Sequence, residues 1–239
     1  PDGAVVSVDS LGKHLVIELD NGHALRTHLG MRGSWHRYAP EERWRRPRHH
    51  ASLVIRTAED VFVCFRAKEV ELLASGVSRQ RLRQRLGPDL LDDDLDPTRG
   101  DAAFSRLVER ARIRRSPQAC MSDVLLDQNI ASGLGNVYKC ELLFMHGIAP
   151  LCPLGSVPDE QLVALYRHGA RLLRANLRGG PRVTRFVADG RDRIWVYGRA
   201  GKPCLECDHA IVREKLGEHH RVTYFCPRCQ PADRRLVRT

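Results

Sequence analysis

Two Cys-x-x-Cys pairs constrain the fold of this 239-residue chain more than any other feature. Cys204 and Cys207 form the first pair, Cys226 and Cys229 form the second, and eighteen residues separate them. Each pair directs two sulfurs to one point, and two such pairs complete the tetrahedral thiolate shell that zinc prefers. Four protein ligands leave no position for water, so the pattern predicts one structural zinc ion in a ribbon hairpin.

Two other interpretations of these cysteines are two disulfides, or one redox pair beside a chance repeat. The sequence shows no signal-peptide pattern and no apolar run long enough to cross a bilayer, which favours a reducing cytoplasmic compartment and opposes disulfides. The duplicated pair opposes a single redox site. The other four cysteines lie among apolar residues and are predicted to be reduced core residues; they are Cys64, Cys120, Cys140 and Cys152.

The charge of the chain favours a polyanionic partner. Lys and Arg total 39 against 29 Asp and Glu, which gives a net charge of +10 and a pI near 9.6. Such an excess points to nucleic acid ahead of a membrane surface. The alternative is a basic surface that serves only solubility, and charge alone leaves it open.

Short β-branched or aromatic runs between residues 5 and 70 predict strands. The runs are AVVSV, HLVIEL, HALRTHLG, ASLVIRT and VFVCFR, and a DNG turn at residues 20–22 predicts a hairpin between the second and third. A basic, proline-interrupted loop, RYAPEERWRRPRHH, lies inside this region. The pattern predicts an antiparallel sandwich or barrel.

Helical periodicity begins near residue 78 and continues, with interruptions, to about residue 180. The acidic stretch DDDLDPTRGD has no apolar period and is predicted to be a linker. Strands and turns return after residue 193. The predicted division is a β domain at 1–92, a helical domain at 93–200, a zinc ribbon at 201–230 and a tail at 231–239.

Two further features suggest contact with phosphate. An apolar helix ends near Ser132, a GLG turn follows, and Asn136 is predicted to cap a second helix whose free amides favour an anion. Arg221 lies at the tip of the ribbon hairpin, where a guanidinium could pair with phosphate oxygens. The first feature is also explained by a plain helical hairpin, and the second by an exposed turn arginine without a partner. Pattern alone leaves these alternatives open.

Three co-linear motifs resemble one known family. They are LLDQNIASGLGNVYKCELLFMHGIAP, WVYGRAGKPCLEC and RVTYFCPRCQ, and the similarity extends upstream through GKHLVIELDNGHALRTHLGMRGSW and RLGPDLL. The chain is thereby similar, over nearly its whole length, to the formamidopyrimidine-DNA glycosylase/endonuclease VIII family, and closer to the endonuclease VIII branch. The resemblance implies an α+β multidomain fold: an N-terminal antiparallel β-sandwich, a helix–two-turns–helix domain and a C-terminal zinc-ribbon hairpin.

The resemblance also implies an activity. Members are base-excision-repair DNA glycosylases and abasic-site lyases that flip an oxidised base from the duplex, form a Schiff base with the sugar and cleave the strand by β- and δ-elimination. It implies a monomer that binds double-stranded DNA containing a damaged base or abasic site, with structural zinc as its one cofactor.

Site residues follow from the same resemblance, position by position. Lys13 matches the lysine that supports β-elimination, and Arg221 the finger arginine that grips phosphate and assists δ-elimination. Asn136 matches the phosphate-binding asparagine of the helix–two-turns–helix motif, and Arg85 resembles a DNA-contacting arginine. Met31 matches the side chain that fills the gap left by the flipped base, although its residue type alone predicts a core position.

The first residues imitate the family's catalytic opening at a different position. Members begin with Pro-Glu-Gly, whose proline amine attacks the sugar and whose glutamate is the general acid/base. Here only AVVSVDSL separates Pro1-Asp2-Gly3 from the strand that carries Lys13. We therefore interpret Pro1 as an internal residue exposed by an incomplete N-terminus. On this interpretation the family's catalytic proline and glutamate are missing from the chain, and we expect it to bind duplex DNA without forming a borohydride-trapped adduct with an abasic site.

Two rival functions stay open from the sequence. One is a catalytically silent protein of the same fold that binds damaged DNA. The other is a zinc-ribbon protein that binds RNA and uses the helical turn to hold phosphate.

Overall fold

The computed structural model describes residues 3–30, 32–74, 85–178 and 180–232. The chain divides into two compact units, Pro1–Arg85 and Leu86–Thr239. The first unit holds two antiparallel sheets, and the second holds the helices and a two-stranded hairpin. Among the described residues, no helix has the length and apolar character needed to cross a membrane.

Seven strands lie in the described residues of the first unit. A four-stranded sheet has the order β1-β2-β3-β7, and a three-stranded sheet has the order β4-β6-β5. The strands are β1 (Val5–Leu11), β2 (His14–Leu19), β3 (His23–His28), β4 (Ser34–Tyr38), β5 (Ala51–Arg56), β6 (Val61–Phe65) and β7 (Glu69–Ala74).

Side chains of both sheets share an apolar core, as a sandwich requires. Ile17 and Leu25 of the first sheet form one cluster with Leu53 and Ile55 of the second. The DNG segment forms the turn between β2 and β3, with Gly22 at a φ of +78° that favours glycine. The predicted antiparallel sandwich is confirmed.

Strands β4 and β7 do not stand out in the sequence. Strand β4, SWHRY, begins with four polar or amphipathic side chains and buries only Tyr38. Strand β7, EVELLA, has no alternation of buried and exposed residues. Both strands are held chiefly by pairing with β6 and β3, a long-range constraint that local periodicity does not record.

The second unit contains four α-helices and one hairpin among its described residues. Helix α4 has the strongest single-sided apolar pattern of the named helices, and it packs against α1 around Phe104, Leu107 and Leu165. The elements are α1 (Ala102–Arg114), α2 (Met121–Val124), α3 (Asn136–Met145), α4 (Asp159–Ala175), β8 (Val212–Leu216) and β9 (Arg221–Phe225).

The segment CMSDVLLDQNIA is predicted to be one helix, but only its first turn, α2, is helical. Gln128 explains the interruption, because its Nε2 donates to the carbonyls of Leu126 and Leu134 and its Oε1 accepts from Gly133 N–H. Such bonds from a side chain to nearby backbone replace helical bonds. The helix predicted from residue 78 to 87 falls mainly on residues 75–84, outside the described residues.

The stretch GPDL, at residues 87–90, lies against this interrupted segment. Gly87 N–H donates to Gln128 O, Leu90 N–H donates to Ser132 O, and Ser132 N–H donates to Pro88 O. A Cβ at Gly87 would lie 2.3 Å from Ile130 O, so only glycine fits there. The acidic stretch that follows belongs to the second unit, where Leu95 is buried in the helical core.

Candidate nucleic-acid interface and zinc site

The four ribbon cysteines converge on one point. Their sulfurs are 3.8 Å apart for Cys204 and Cys229, 3.5 Å for Cys207 and Cys226, and 3.3 Å for Cys207 and Cys229. A tetrahedral shell with Zn–S bonds of about 2.3 Å needs sulfurs about 3.8 Å apart, so the donor set and geometry fit one zinc ion. All eight cysteines are free thiols in the structure.

Helix α3 is the surface on which the ribbon hairpin rests. The Lys139 ammonium, fully buried, donates to Thr223 Oγ1 at 2.6 Å, and Tyr224 N–H donates to the Cys140 sulfur at 3.4 Å. Burial lowers the pKa of the Lys139 ammonium. Gln230 closes the far end, since its Nε2 donates to Ile148 O at 2.8 Å. The hairpin is thus joined to the helix by buried polar bonds along its second strand.

Asn136 does not cap α3 as predicted. It is the first residue of the helix, Gly135 precedes it in an extended conformation, and no side chain caps the helix. The Asn136 amide instead donates from Nδ2 to Val222 O of β9, at 2.7 Å. Its Oδ1 is buried and has no hydrogen-bond partner among the described residues. The side chain therefore links the start of the helix to the hairpin.

Arg221 begins β9, one residue before the carbonyl that Asn136 contacts. Its side chain is exposed, and the guanidinium has no ion-pair or hydrogen-bond partner in the described part of the chain. The helix start and the hairpin arginine, 85 positions apart in sequence, therefore meet in space. Unpaired N–H groups at a helix start and a free guanidinium are both donors suited to phosphate.

The turn of the hairpin is fixed by Asp123 of α2. Glu218 N–H donates to Asp123 Oδ2 at 2.9 Å, and a Cβ at Gly217 would lie 2.3 Å from Asp123 Oδ1. Gly217 has a φ of +78°, a second reason for glycine. Arg115 also contacts Glu218, at 3.2 Å. These contacts hold the tip that precedes Arg221.

Glu141 organises the segment before the ribbon, and sequence analysis missed it. Its carboxylate is fully buried and accepts the backbone N–H groups of Trp195, Val196 and Tyr197 at 2.7 to 2.9 Å. The Thr184 hydroxyl donates to the same carboxylate. One signal was available: Glu141 is an acidic residue inside the apolar run CELLF, where burial requires partners.

Lys13 lies in the first unit, in the turn between β1 and β2. Its neighbour His14 accepts a hydrogen bond at Nδ1 from Arg26 Nη1, at 2.9 Å. Burial lowers the pKa of His14 to about 4, and His28 and Arg26 contribute. Burial is also the main cause of the lowered pKa of His28, which nearby Lys68 and Lys13 lower further. His14 is therefore neutral at pH 7 beside a cationic Lys13.

Arg85, Met31 and the first two residues complete the set of predicted residues. Arg85 is exposed and is the last residue of the first unit. Met31, Pro1 and Asp2 lie outside the described residues.

Family models match the chain in three consecutive segments. Residues 2–86 match the formamidopyrimidine-DNA glycosylase N-terminal domain, and residues 86–187 match the H2TH domain of the same glycosylase. Residues 201–232 match the zinc finger found in FPG and IleRS. A Streptomyces coelicolor protein named probable endonuclease 8 2 is 37% identical over 240 residues, covering 98% of this chain and 83% of the relative.

The chain belongs to the formamidopyrimidine-DNA glycosylase/endonuclease VIII family. A second member, from Mycolicibacterium smegmatis and named DNA-(apurinic or apyrimidinic site) lyase Nei2, is 34% identical over 235 residues, covering 96% of this chain and 84% of the relative. The family's fold is confirmed by solved structures. The Lactococcus lactis formamidopyrimidine-DNA glycosylase bound to DNA with an abasic site has a TM-score of 0.74 at 23% identity, covering 96% of this chain and 82% of that one.

Proposed function

We propose that this protein is a DNA glycosylase and abasic-site lyase that acts on oxidised bases in duplex DNA. The observation that carries the proposal is the hydrogen bond from Asn136 Nδ2 to Val222 O, which brings two predicted phosphate ligands, Asn136 and Arg221, to one place. The names of the relatives support the same activity, and the net charge of +10 suits a polyanion.

Each predicted residue has a role in this proposal. Lys13 supports β-elimination; Arg221 binds phosphate and assists δ-elimination. Asn136 holds phosphate through the second hydrogen of its Nδ2, because the first is given to Val222 O. Arg85 contacts the DNA backbone, and Met31 fills the space left by the flipped base.

Zinc has a structural role here. Cys204, Cys207, Cys226 and Cys229 would hold the ion, which supplies the cross-link that lets a short hairpin fold. By fixing the hairpin, this site keeps Arg221 beside the start of α3.

The proposal also covers the organisation of the protein. We propose a functional division into a β domain, a helical domain and a ribbon at 201–230, because the predicted DNA residues come from all three. Residues 86–92 go with the helical domain, since Leu90 is buried in its core. We further propose a monomer that works on DNA in the bacterial cytoplasm.

Equilibrium binding to three ligands of equal length tests the proposal: duplex with a central abasic-site analogue, intact duplex, and structured RNA. We expect the abasic duplex to bind most tightly. Preference for RNA, or no discrimination between the duplexes, would contradict the proposal. With a natural abasic site, strand cleavage into β- and δ-products separates the enzyme from a silent binder, and peptide mapping of a borohydride-trapped adduct identifies the amine.

Lys13→Ala tests the assigned role within the same assay, in a chain extended at its N-terminus by a family-type segment that begins Pro-Glu-Gly. We expect cleavage of the natural abasic strand to fall by about 10²-fold or more, as loss of a group that assists proton transfer predicts. Binding to the abasic analogue should change only a few-fold, since the substitution removes a single positive charge near the DNA backbone. Equal losses of binding and cleavage would show that Lys13 only contributes to affinity.

A further inference from the structure

The basic loop between β4 and β5, residues 39–50, has no part in the proposed chemistry, yet it is firmly anchored. Its Trp44 ring stacks on Tyr38, with centroids 6.2 Å apart, and meets the edge of Phe65 at 5.8 Å. Arg45 N–H donates to the Tyr38 hydroxyl at 3.2 Å. Tyr38 and Phe65 belong to the buried cluster of the second sheet, so the loop is fixed to the core at its centre.

Anchored in this way, the loop presents arginines without acidic partners. The Arg48 guanidinium lies over the Trp44 ring, 5.3 Å from its centroid, and Arg43, Arg45 and Arg46 flank that tryptophan in sequence. None of these four arginines makes an ion pair with a carboxylate among the described residues. Arg37, by contrast, is paired with Asp60 at 2.7 Å.

Arg66 adds a fifth cation, held in an unusual backbone conformation. Its φ is +47°, in the left-handed region where glycine or asparagine would be less strained. Its N–H donates to His50 O at 2.9 Å, and its guanidinium donates to His50 Nε2 at 2.6 Å. A strained backbone at an exposed arginine is a feature found at functional sites.

Strand register brings these cations to the same end of the first unit as Lys13. Phe65, which precedes Arg66, pairs with Ala51, which follows Arg48–His50. The segment after Arg66 returns to the other sheet, where Lys68 N–H donates to His28 O. His28 of β3 in turn pairs with His14 of β2, which is the neighbour of Lys13.

We propose that Arg48 and Arg66, supported by Arg45 and Arg46, form a second phosphate-binding surface that holds the backbone of duplex DNA beyond the nucleotides at Lys13. This inference rests on the proposed function and enlarges its DNA footprint. Guanidinium groups pair bidentately with phosphate oxygens, and anchoring by Trp44 reduces the side-chain entropy lost on binding. Such contacts position DNA without reading its sequence.

Salt titration of binding to a duplex with a central abasic-site analogue tests the surface. The variants are Arg48→Ala, Arg66→Gly and their combination. Each lost phosphate contact should lower the slope of log Kd against log salt by about 0.9, so the slope of the double variant should be lower by about 1.8. Arg56→Ala is the matched control, because Arg56 is an exposed arginine at the opposite end of β5, opposite Val61.

Arg66→Gly also separates binding from folding, because glycine relieves the positive φ while it removes the charge. We expect its thermal midpoint to be at or above that of the unchanged protein, with weaker DNA binding. The duplex arms on the two sides of the abasic analogue can be shortened separately. Shortening one arm should abolish the effect of the double variant, and shortening the other should not.

An unchanged salt slope in the double variant would overturn the inference. So would equal loss in Arg56→Ala, or self-association that the double variant abolishes, which would assign the surface to a second copy of the chain. The proposed function stands or falls separately, because preference for the abasic duplex and the effect of Arg221→Ala do not depend on this loop.

Discussion

At the scale of single residues, Asn136 uses only part of its hydrogen-bonding capacity within the protein. In an asparagine that caps a helix, the side-chain oxygen accepts a hydrogen bond from a backbone N–H of that helix. Here Nδ2 donates to Val222 O and leaves one hydrogen, while the first N–H groups of α3 stay uncapped by any side chain. In the function proposed above, these remaining donors hold a phosphate beside Arg221.

Replacing Arg221 tests the predicted phosphate contact directly. Arg221→Ala should weaken binding to all duplex sequences alike and lower the salt slope by about 0.9, the value for one phosphate. Fluorescence anisotropy at several salt concentrations measures both. Arg213→Ala is the control, since Arg213 is an exposed arginine on β8 of the same hairpin. If the two variants behave alike, the effect is one of overall charge and the assignment is wrong.

Because of His146, we expect the folded protein to lose stability in mild acid. Burial, with a smaller contribution from the adjacent His168, lowers its pKa to about 4. The unfolded chain takes up a proton near pH 6.5, the folded chain only near pH 4, so stability is full above 6.5 and falls as the pH decreases through this window. The loss attributable to His146 is at most about 2 kcal/mol at pH 5.

His146→Gln should therefore reduce the difference in unfolding free energy between pH 7 and pH 5. Urea denaturation at the two pH values measures it. His219→Gln, at an exposed histidine of the hairpin turn, should leave the difference unchanged. An equal difference in all three proteins would place the acid sensitivity elsewhere.

At the scale of secondary-structure elements, α3 supports two separate parts of the second unit, strand β9 and the segment 195–197. Its first residue binds β9 through Val222 O, Lys139 binds the same strand through Thr223, and Glu141 binds the backbone at 195–197. These hydrogen bonds position the two parts more specifically than apolar contacts would, because a hydrogen bond fixes both distance and direction.

Loss of the Glu141 carboxylate should be costly for this arrangement. Glu141→Gln places an amide NH₂ where one oxygen accepts backbone N–H groups, so at least one buried donor loses its partner. We expect a destabilisation of about 2–4 kcal/mol, measured by urea denaturation. Glu109→Gln, at an exposed position of α1, is the matched control and should change stability by less than about 0.5 kcal/mol.

Zinc removal should affect DNA binding through the same helix. Cys226→Ser removes one of four ligands, so the hairpin should lose its metal and its fixed structure, and Arg221 should leave the start of α3. Elemental analysis should fall from one zinc per chain toward zero, and affinity for duplex DNA should fall with it. Cys64→Ala, in the first unit, should retain one zinc. A variant that loses zinc but keeps full affinity would contradict the structural role.

At the scale of the whole molecule, the sequence predicts features that depend on local pattern. Alternation predicts β2 and β6, the 3.6-residue period predicts α1, and the paired Cys-x-x-Cys turns predict the zinc ligands. Each of these signals lies within a short stretch of chain. The fold class and the family follow from their order.

Other features depend on partners far away in the chain and could not be predicted. The bonds of Glu141 span 43 to 56 positions, and those of Asn136 and Lys139 span 86 and 84. The interruption after α2 arises from Gln128, whose residue type fits a helix as well as a turn. No local periodicity encodes which donor meets which acceptor.

The contact between Asp123 and the hairpin turn has a consequence for how this family can vary. Because Asp123 fixes Gly217 and Glu218, the count of residues from there to Arg221 sets where the guanidinium emerges. An inserted or deleted residue would shift Arg221 along the strand and turn it to the opposite face. The length of the turn is therefore constrained more strictly than its sequence: His219 is exposed and can be exchanged, whereas His220, at a φ of +46°, is replaced with least strain by glycine or asparagine.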